Sequence, residues 1–427
     1  MADEAAARPL RRLMRTIVAD TTPLKVSADY RRLWLGLTIS NLGQQMTNVA
    51  VAIQVFAITG SSFSVGLVGF FGLVPLIVFG LYGGAIADVV DRRLLMLSSA
   101  GGLALCSVVL LVHAVLDGSS VWLLYAVVAV QAAMFAVNNP ARMATIPRLI
   151  GPDLLPAANA LGQVTWGLGF TLGPLLAGAL VGTVGFAWVY GIDVIAFMAA
   201  LYAVLRLPPI PPEVVDGAPA TKAGFASVLE GLRYVKSRKN VLMTFLIDLN
   251  AMIFGMPRAL FPAVAGSFYG GGAATVGILS AAPALGALLG ALFSGGLGRV
   301  RRQGRAVVVA IVVWGAAIAA FGFTRTLWLG VLFLAVAGAA DMVSAVYRST
   351  ILQVATPDAM RGRLQGVFIV VVAGGPRLGD VESGTVAEVT NEAFSIVSGG
   401  LLCIGGVAVL CALYPRFLKY DARHPEP

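Results

Sequence analysis

The chain has 427 residues, 58% hydrophobic and only 12% charged, with a net charge of +9 and a mean hydropathy of +0.87. A soluble domain carries roughly 25% charge, so these values exclude a water-dissolved globule and put the core in lipid. Nucleic acid is excluded as the reason for the positive balance, because the bases are scattered over short loops without a continuous stripe or interleaved stacking aromatics.

Residues 1–32 form a mostly polar tail with Arg8, Arg11, Arg12 and Arg15. A secretory signal would start its apolar region earlier, so the tail reads as uncleaved and cytoplasmic. A membrane-spanning helix needs about 20 mostly apolar residues. Twelve such spans are predicted, near 33–58, 65–87, 94–116, 121–138, 157–181, 186–205, 241–267, 274–296, 306–323, 327–346, 364–387 and 393–414. Of the 30 Lys and Arg residues, all but Arg258, Arg325 and Arg377 fall in alternate gaps or in the two tails. Basic loops stay in the cytoplasm, so both termini are expected inside a cell (cytoplasmic) membrane.

The rhythm breaks in the middle. Pro208, Pro209, Pro211, Pro212 and Pro219 rule out a regular helix there. Then Phe225, Val228, Leu229, Leu232 and Val235 recur at three and four, with Arg233, Lys236, Arg238 and Lys239 at the far end. That pattern predicts a basic amphipathic helix on the cytoplasmic surface. The expected organisation is a tail at 1–32, six spans over 33–206, a linker at 207–240, six more over 241–414, and a tail at 415–427. An internal repeat supports it: Arg142-Met-Ala-Thr-Ile recurs from Arg348, Pro152-Asp153 as Pro357-Asp358, and Gly84 as Gly290, at nearly equal offsets. Two like halves in the same orientation are a transporter architecture with the substrate path between them.

Cys106, Cys403 and Cys411 lie inside apolar runs and read as small core residues. His113, near the outer end of span three, reads as an interface residue, and it is far from the other histidine, His424. No metal site, disulfide or cofactor is expected. None of the lysines sits in a phosphate-binding Gly-x-x-x-x-Gly-Lys loop, so ATP is not expected as a partner.

Between spans two and three the sequence reads Gly83-Gly84-Ala-Ile-Ala-Asp88-Val-Val-Asp91-Arg92-Arg93. Physics alone leaves this as a solvated basic turn or as a charge-paired contact built on Asp88. The segment resembles the signature loop of the major facilitator superfamily, Gly-x-x-x-Asp followed by a basic turn, and matches at Gly84, Asp88, Arg92 and Arg93. Val89 departs from the family's usual base, and Asp91 from its usual glycine. The resemblance implies a cytoplasmic gate in which Asp88 meets the start of span eleven beside Arg361 and Arg363. A carboxylate there gains from the helix dipole. The second copy has Ser294 where an acid would sit, so stronger gating is expected in the first half.

Span five holds Gly169, Gly173-Pro174 and Gly178. The spacing permits close helix packing. It also resembles the Gly-x-x-x-Gly-Pro segment of proton-coupled antiporters in the superfamily, with Gly178 one position beyond the family's closing glycine. Span eleven reads Gly374-Gly375-Pro376-Arg377-Leu-Gly-Asp380-Val-Glu382. Arg377 lies 12 residues after Gln365, about 18 Å deep at about 1.5 Å per residue. Charges there need a wet cavity or one another. Arg377 and Asp380 share a face and could form a structural pair, whereas Glu382 lies on another. The glycines and Pro376 predict a flexible or broken helix.

Asp193 and Asp248 are further buried acids, and Arg258 is a possible partner for either. A carboxylate that protonates on one side and releases on the other couples transport to protons. Thus Asp380, Glu382, Asp193 and Asp248 are the proton-coupling candidates, with Arg377 and Arg258 as charge partners. Asp341, near the cytoplasmic end of span ten, reads as structural. Span one carries a stripe of Asn41, Gln44, Gln45 and Asn48, and Gln131, Gln163 and Trp166 follow in spans four and five. This set suits a polar organic solute, although each member could instead bond helix to helix.

The expectation is therefore an all-α membrane protein, twelve helices in two pseudo-symmetric six-helix halves, and not an enzyme. Pro140-Ala-Arg142, the stretch Thr356–Arg363 and Gly374–Asp380 resemble the enterobactin-exporter and macrolide-efflux branch of the superfamily. That resemblance implies export of a siderophore or amphiphilic drug-like molecule; the buried acids point to proton antiport, and since one chain holds both halves a monomer is expected. The alternative on the same scaffold is a lysophospholipid or nutrient transporter.

Overall fold

A computed structural model describes residues 20–87, 89–211, 225–356, 358–421 and 423. Lipid offers the backbone no hydrogen-bond partner, so an apolar chain of this kind spans it as helices that satisfy their own N–H and C=O groups. After a short helix at Thr22–Val26 come α1 (Ala28–Thr59), α2 (Ser62–Ala87), α3 (Arg92–Val115), α4 (Val121–Ile150), α5 (Leu155–Thr183) and α6 (Phe186–Leu205). α7 (Phe225–Ser237) is the amphipathic helix of the linker. α8 (Lys239–Phe254), α9 (Phe261–Ser267), α10 (Ala273–Leu292), α11 (Gln303–Phe323), α12 (Leu327–Val354), α13 (Asp358–Val389) and α14 (Glu392–Leu413) complete the chain. Among the described residues, ten segments are long and apolar enough to cross a membrane, α8 and α9 counting together. α1 and α13 have the length, but their polar stripe and buried charges lower their apolarity. The protein is an all-α, multi-pass membrane protein.

Short turns reverse the chain. Gly60 takes the left-handed conformation at φ 64° and returns its N–H to Phe56 O, which closes α1 two residues before α2 starts. Asn391 starts α14 by accepting from Phe394 N at 2.9 Å. The loops near 90, 152 and 208 then lie at an arginine-rich end. Gly60, Gly118, Gly185 and Gly270 mark the opposite end.

α1 packs on α5 and α6, α2 on α4, and α3 on α4 and α6. Met46, Val55, Leu110, Leu124 and Tyr190 are the core of this group. α10 and α11 pack on α12, α11 on α14, and α8 on α13 and α14, around Ile247, Leu279, Ile311 and Phe321. The two groups meet along α2–α13 and α5–α10. Both seams depend on missing side chains. A Cβ on Gly66 would collide with Asp380 O, and one on Gly277 with Pro174 O. One on Gly178 would sit 2.5 Å from Ala273 O. Such small residues let backbones touch where lipid supplies no hydrophobic drive.

Two spans differ from their sequence expectation. Span seven is not one helix. It stops at Phe254, passes through Gly255-Met256-Pro257, and makes a tight turn at Arg258–Leu260 before α9. Pro257 has no N–H to offer, and Trp314 Nε1 donates to Gly255 O at 2.8 Å. Conversely, α13 continues through Pro376. There the Arg377 guanidinium donates to Ala373 O at 2.6 Å, supporting the turn that proline disturbs. α7 docks on the second group. Val235 is buried with Val241, Phe245, Ala355 and Leu364, and Tyr234 Oη donates to Ala355 O at 3.3 Å.

Candidate functional site

The break in span seven places Arg258 against α13. Its Nη2 donates to Asp380 Oδ2 at 2.8 Å, with side-chain exposures of 43% and 15%. Arg258, not Arg377, is thus the ion-pair partner of Asp380. Arg377 lies one turn away, with its backbone against Gly69 and its Nε 3.1 Å from where a Cβ on Gly72 would stand. Arg258, Arg377 and Asp380 therefore cluster on the α2–α13 seam, and a shift of one group against the other must move these charges. Arg258 is well exposed, so breaking the pair costs less than the ~3–5 kcal/mol of a fully buried one. Glu382 is half-buried on another face of α13.

The other acids are elsewhere. Asp193 on α6 is fully buried, and its Oδ2 accepts from Thr47 Oγ1 and Ser107 Oγ, both at 2.7 Å. Gly43 leaves room for it, since a Cβ there would sit 2.5 Å from Asp193 Oδ1. Asp248 on α8 pairs with Arg348 on α12. Arg348 also lies 3.5 Å from Asp341, one face of α12 carrying both. In the sequence Arg348 stands out only as part of a repeat. Its match to Asp248 depends on α8 and α12 being neighbours, which spacing within one helix does not reveal.

The polar stripe divides. Asn41 Nδ2 donates to Thr165 O at 3.0 Å, bonding α1 to α5. Asn48 donates to Gln45 at 3.0 Å and accepts from Gln44 at 3.3 Å, with Asn48 itself exposed. Gln131 is buried, and its Nε2 has no hydrogen-bond partner. Gln163 is exposed, and Trp166 stacks on Phe170 at 5.7 Å with Phe135 edge-on at 6.4 Å. Gly173 lies against Gln45, and Gly169 against Asn41, so the glycine run of α5 receives α1 while Gly178 receives α10. α5 stays helical through Pro174. His113 is buried, with Gln54 Nε2 3.4 Å from its Nδ1.

In the loop after α2, Asp91 caps α3 by accepting from Arg93 N at 2.8 Å. Arg92 Nη1 reaches Ala144 O at 3.4 Å, and Arg93 Nη2 donates to Leu205 O at 2.7 Å, tying the loop to α4 and α6. Asp88 lies outside the described residues, as do the surroundings of Gly84 and the side chains of Arg361 and Arg363.

The family model described as transmembrane secretion effector matches residues 19–425. The chain belongs to the major facilitator superfamily. It is 31% identical over 406 residues to the enterobactin exporter EntS of Citrobacter koseri, covering 95% of this chain and 96% of that protein. It is 31% identical over 398 residues to EntS of Escherichia coli K12, at 93% and 94% coverage. Among solved structures, the nucleoside transporter NupG superposes with a TM-score of 0.68 at 17% identity, over 91% of this chain and 99% of that one. The POT family transporter PepTSo does so with 0.73 at 13% identity, over 92% and 98%. These two establish the fold. Family and relatives together make the chain a superfamily efflux transporter of small molecules rather than an enzyme.

Proposed function

We propose that the chain exports a siderophore or amphiphilic drug-like organic molecule across the cytoplasmic membrane in exchange for protons. It works as a monomer, with both termini inside and halves at 33–206 and 241–414. The observation that carries the coupling is the Arg258–Asp380 pair at the seam between the groups. Asp380 is the principal proton carrier. When protonated it no longer holds Arg258, and the seam is free to part. Asp193 is held by two hydroxyls and enclosed by α1, α3 and α6, which favours a secondary role for it.

Support for alternating access comes from the unequal ends. At the end opposite the arginines, Ser61 Oγ donates to Glu388 at 2.9 Å, and Ala259 is buried with Met46 and Ala50. Toward the arginine-rich end, Val78, Phe79 and Tyr82 of α2 are exposed. The contacts that close the end opposite the arginines support reading this state as open to the cytoplasm. Solute enters beside Gln44, Asn48, Gln163 and Trp166. Asp88 with Arg92, Arg93, Arg361 and Arg363 closes that entrance in the other state.

The test is Asp380→Asn in membrane vesicles loaded with labelled solute. The variant is expected to keep solute exchange and lose proton-driven accumulation. Unchanged proton-driven transport would remove Asp380 from this role.

A further inference from the structure

A second charged set stands apart from the seam. A cavity of about 140 Å³ lies between α8, α12 and α13, with Thr244, Met252 and Val372 beside Asp248, Asp341 and Arg348. No other titratable side chain lines it among the described residues. Two carboxylates share one guanidinium, so one negative charge is left over if both are ionised. Asp248 and Arg348 are a close pair with side chains only 6% and 9% exposed. Asp341 is the looser member, 3.5 Å from Arg348 and 32% exposed toward the cavity. Arg348 Nε is buried with no hydrogen-bond partner, so the guanidinium has a donor to spare.

Depth separates this set from Asp380. Asp341 is 14 residues from Leu327 (341 − 327), about 21 Å from the end opposite the arginines. Asp380 is 9 residues from Val389 (389 − 380), about 14 Å from the same end. Met252 connects the two: it lines the cavity, and its Cβ stands 3.0 Å from where a Cβ on Gly375 would be, one turn before Asp380.

We propose that Asp341 is a second proton-exchange site, opening toward the arginine-rich side, with Arg348 as its switch and Asp248 as the fixed anchor. An unpaired charge at this depth is costly, and a proton is the smallest group that removes it. With Asp341 protonated, Arg348 belongs to Asp248. When Asp341 releases its proton to the cavity, Arg348 Nη2, already 3.5 Å from its Oδ1, closes on it and the two acids share the arginine. Its place in a transport cycle rests on the proton-antiport reading, but the exchange of a proton at Asp341 does not.

The experiment is pH-difference infrared spectroscopy on the purified full chain in lipid nanodiscs, read in the protonated-carboxyl region. The wild type should show a protonated-carboxyl band that disappears as pH rises. Asp341→Asn should lose one component of that band, Asp380→Asn should leave that component in place, and Asp248→Asn should keep it with a shifted midpoint. Identical titrations in wild type and Asp341→Asn would overturn the proposal. So would a band abolished at constant pH by sodium, because the site would then hold a metal cation. A wild type that shows the band but moves no protons with any solute would defeat the antiport reading and leave this one standing.

Discussion

Gly66→Val tests the seam directly. At Gly66 a Cβ collides with Asp380 O, and the next-nearest atoms are Asp380 C at 3.2 Å and Val381 Cα at 3.3 Å. All three are backbone atoms, so no side chain can swing aside and the helices must part. Ordinary carbon contacts sit at about 3.5–4.0 Å, which sets the separation at roughly 1 Å. Overpacking of this kind costs about 1–3 kcal/mol. Charged to the closed seam alone, it lowers that state's population roughly 5–150-fold against the parted one. Spin labels at Thr59 and Thr390, both exposed at the end opposite the arginines, report the gap by pulsed electron resonance. The variant should shift the distance distribution outward. Gly80→Val is the control, because nothing lies within 4 Å of its Cβ position. A folded Gly66→Val protein with the wild-type distribution would refute the reasoning.

Arg348→Leu strands the buried Asp248 and should lower stability by about 3–5 kcal/mol, read as a fall in Tm of purified protein. Adding Asp248→Asn should recover much of the loss, and a single variant as stable as wild type would contradict a buried pair. Asp88→Ala should slow turnover more than it weakens solute binding, measured as kcat against Kd; unaltered turnover would argue against a gate. Trp166→Ala removes one face of the stack with Phe170 and should raise KM with little change in kcat. An unchanged KM would take Trp166 out of the solute path.

Much of the fold was readable because lipid imposes simple rules. Span length follows bilayer thickness, and the arginines sort the loops. The polar composition of α1 and α13 was informative for the same reason: the two long helices that fall short in apolarity carry the stripe at Asn41–Asn48 and the charges at Arg377–Asp380. Pairing was less legible. Arg377 and Asp380 share a helix face, yet the salt bridge is to Arg258, because a break at Gly255–Pro257 turns that arginine toward α13. Proline and glycine marked that break in the sequence, but the apolar run on both sides masked it. Around Pro376 the same signals predict a flexible or broken helix; the helix is unbroken there, with the Arg377 guanidinium bonded to Ala373 O within the turn. Arg348 illustrates the general limit. Its partner Asp248 is one hundred residues away, and only tertiary packing brings them together.

The most direct measurement of the central claim is proton movement in acid-loaded everted vesicles bearing the chain, challenged in turn with siderophores, macrolides and lysolipids. The account predicts proton release triggered by a siderophore or an amphiphilic drug, absent from vesicles without the protein and from those carrying Asp380→Asn. Solute accumulation with no proton response would contradict it and indicate another ion or facilitated movement.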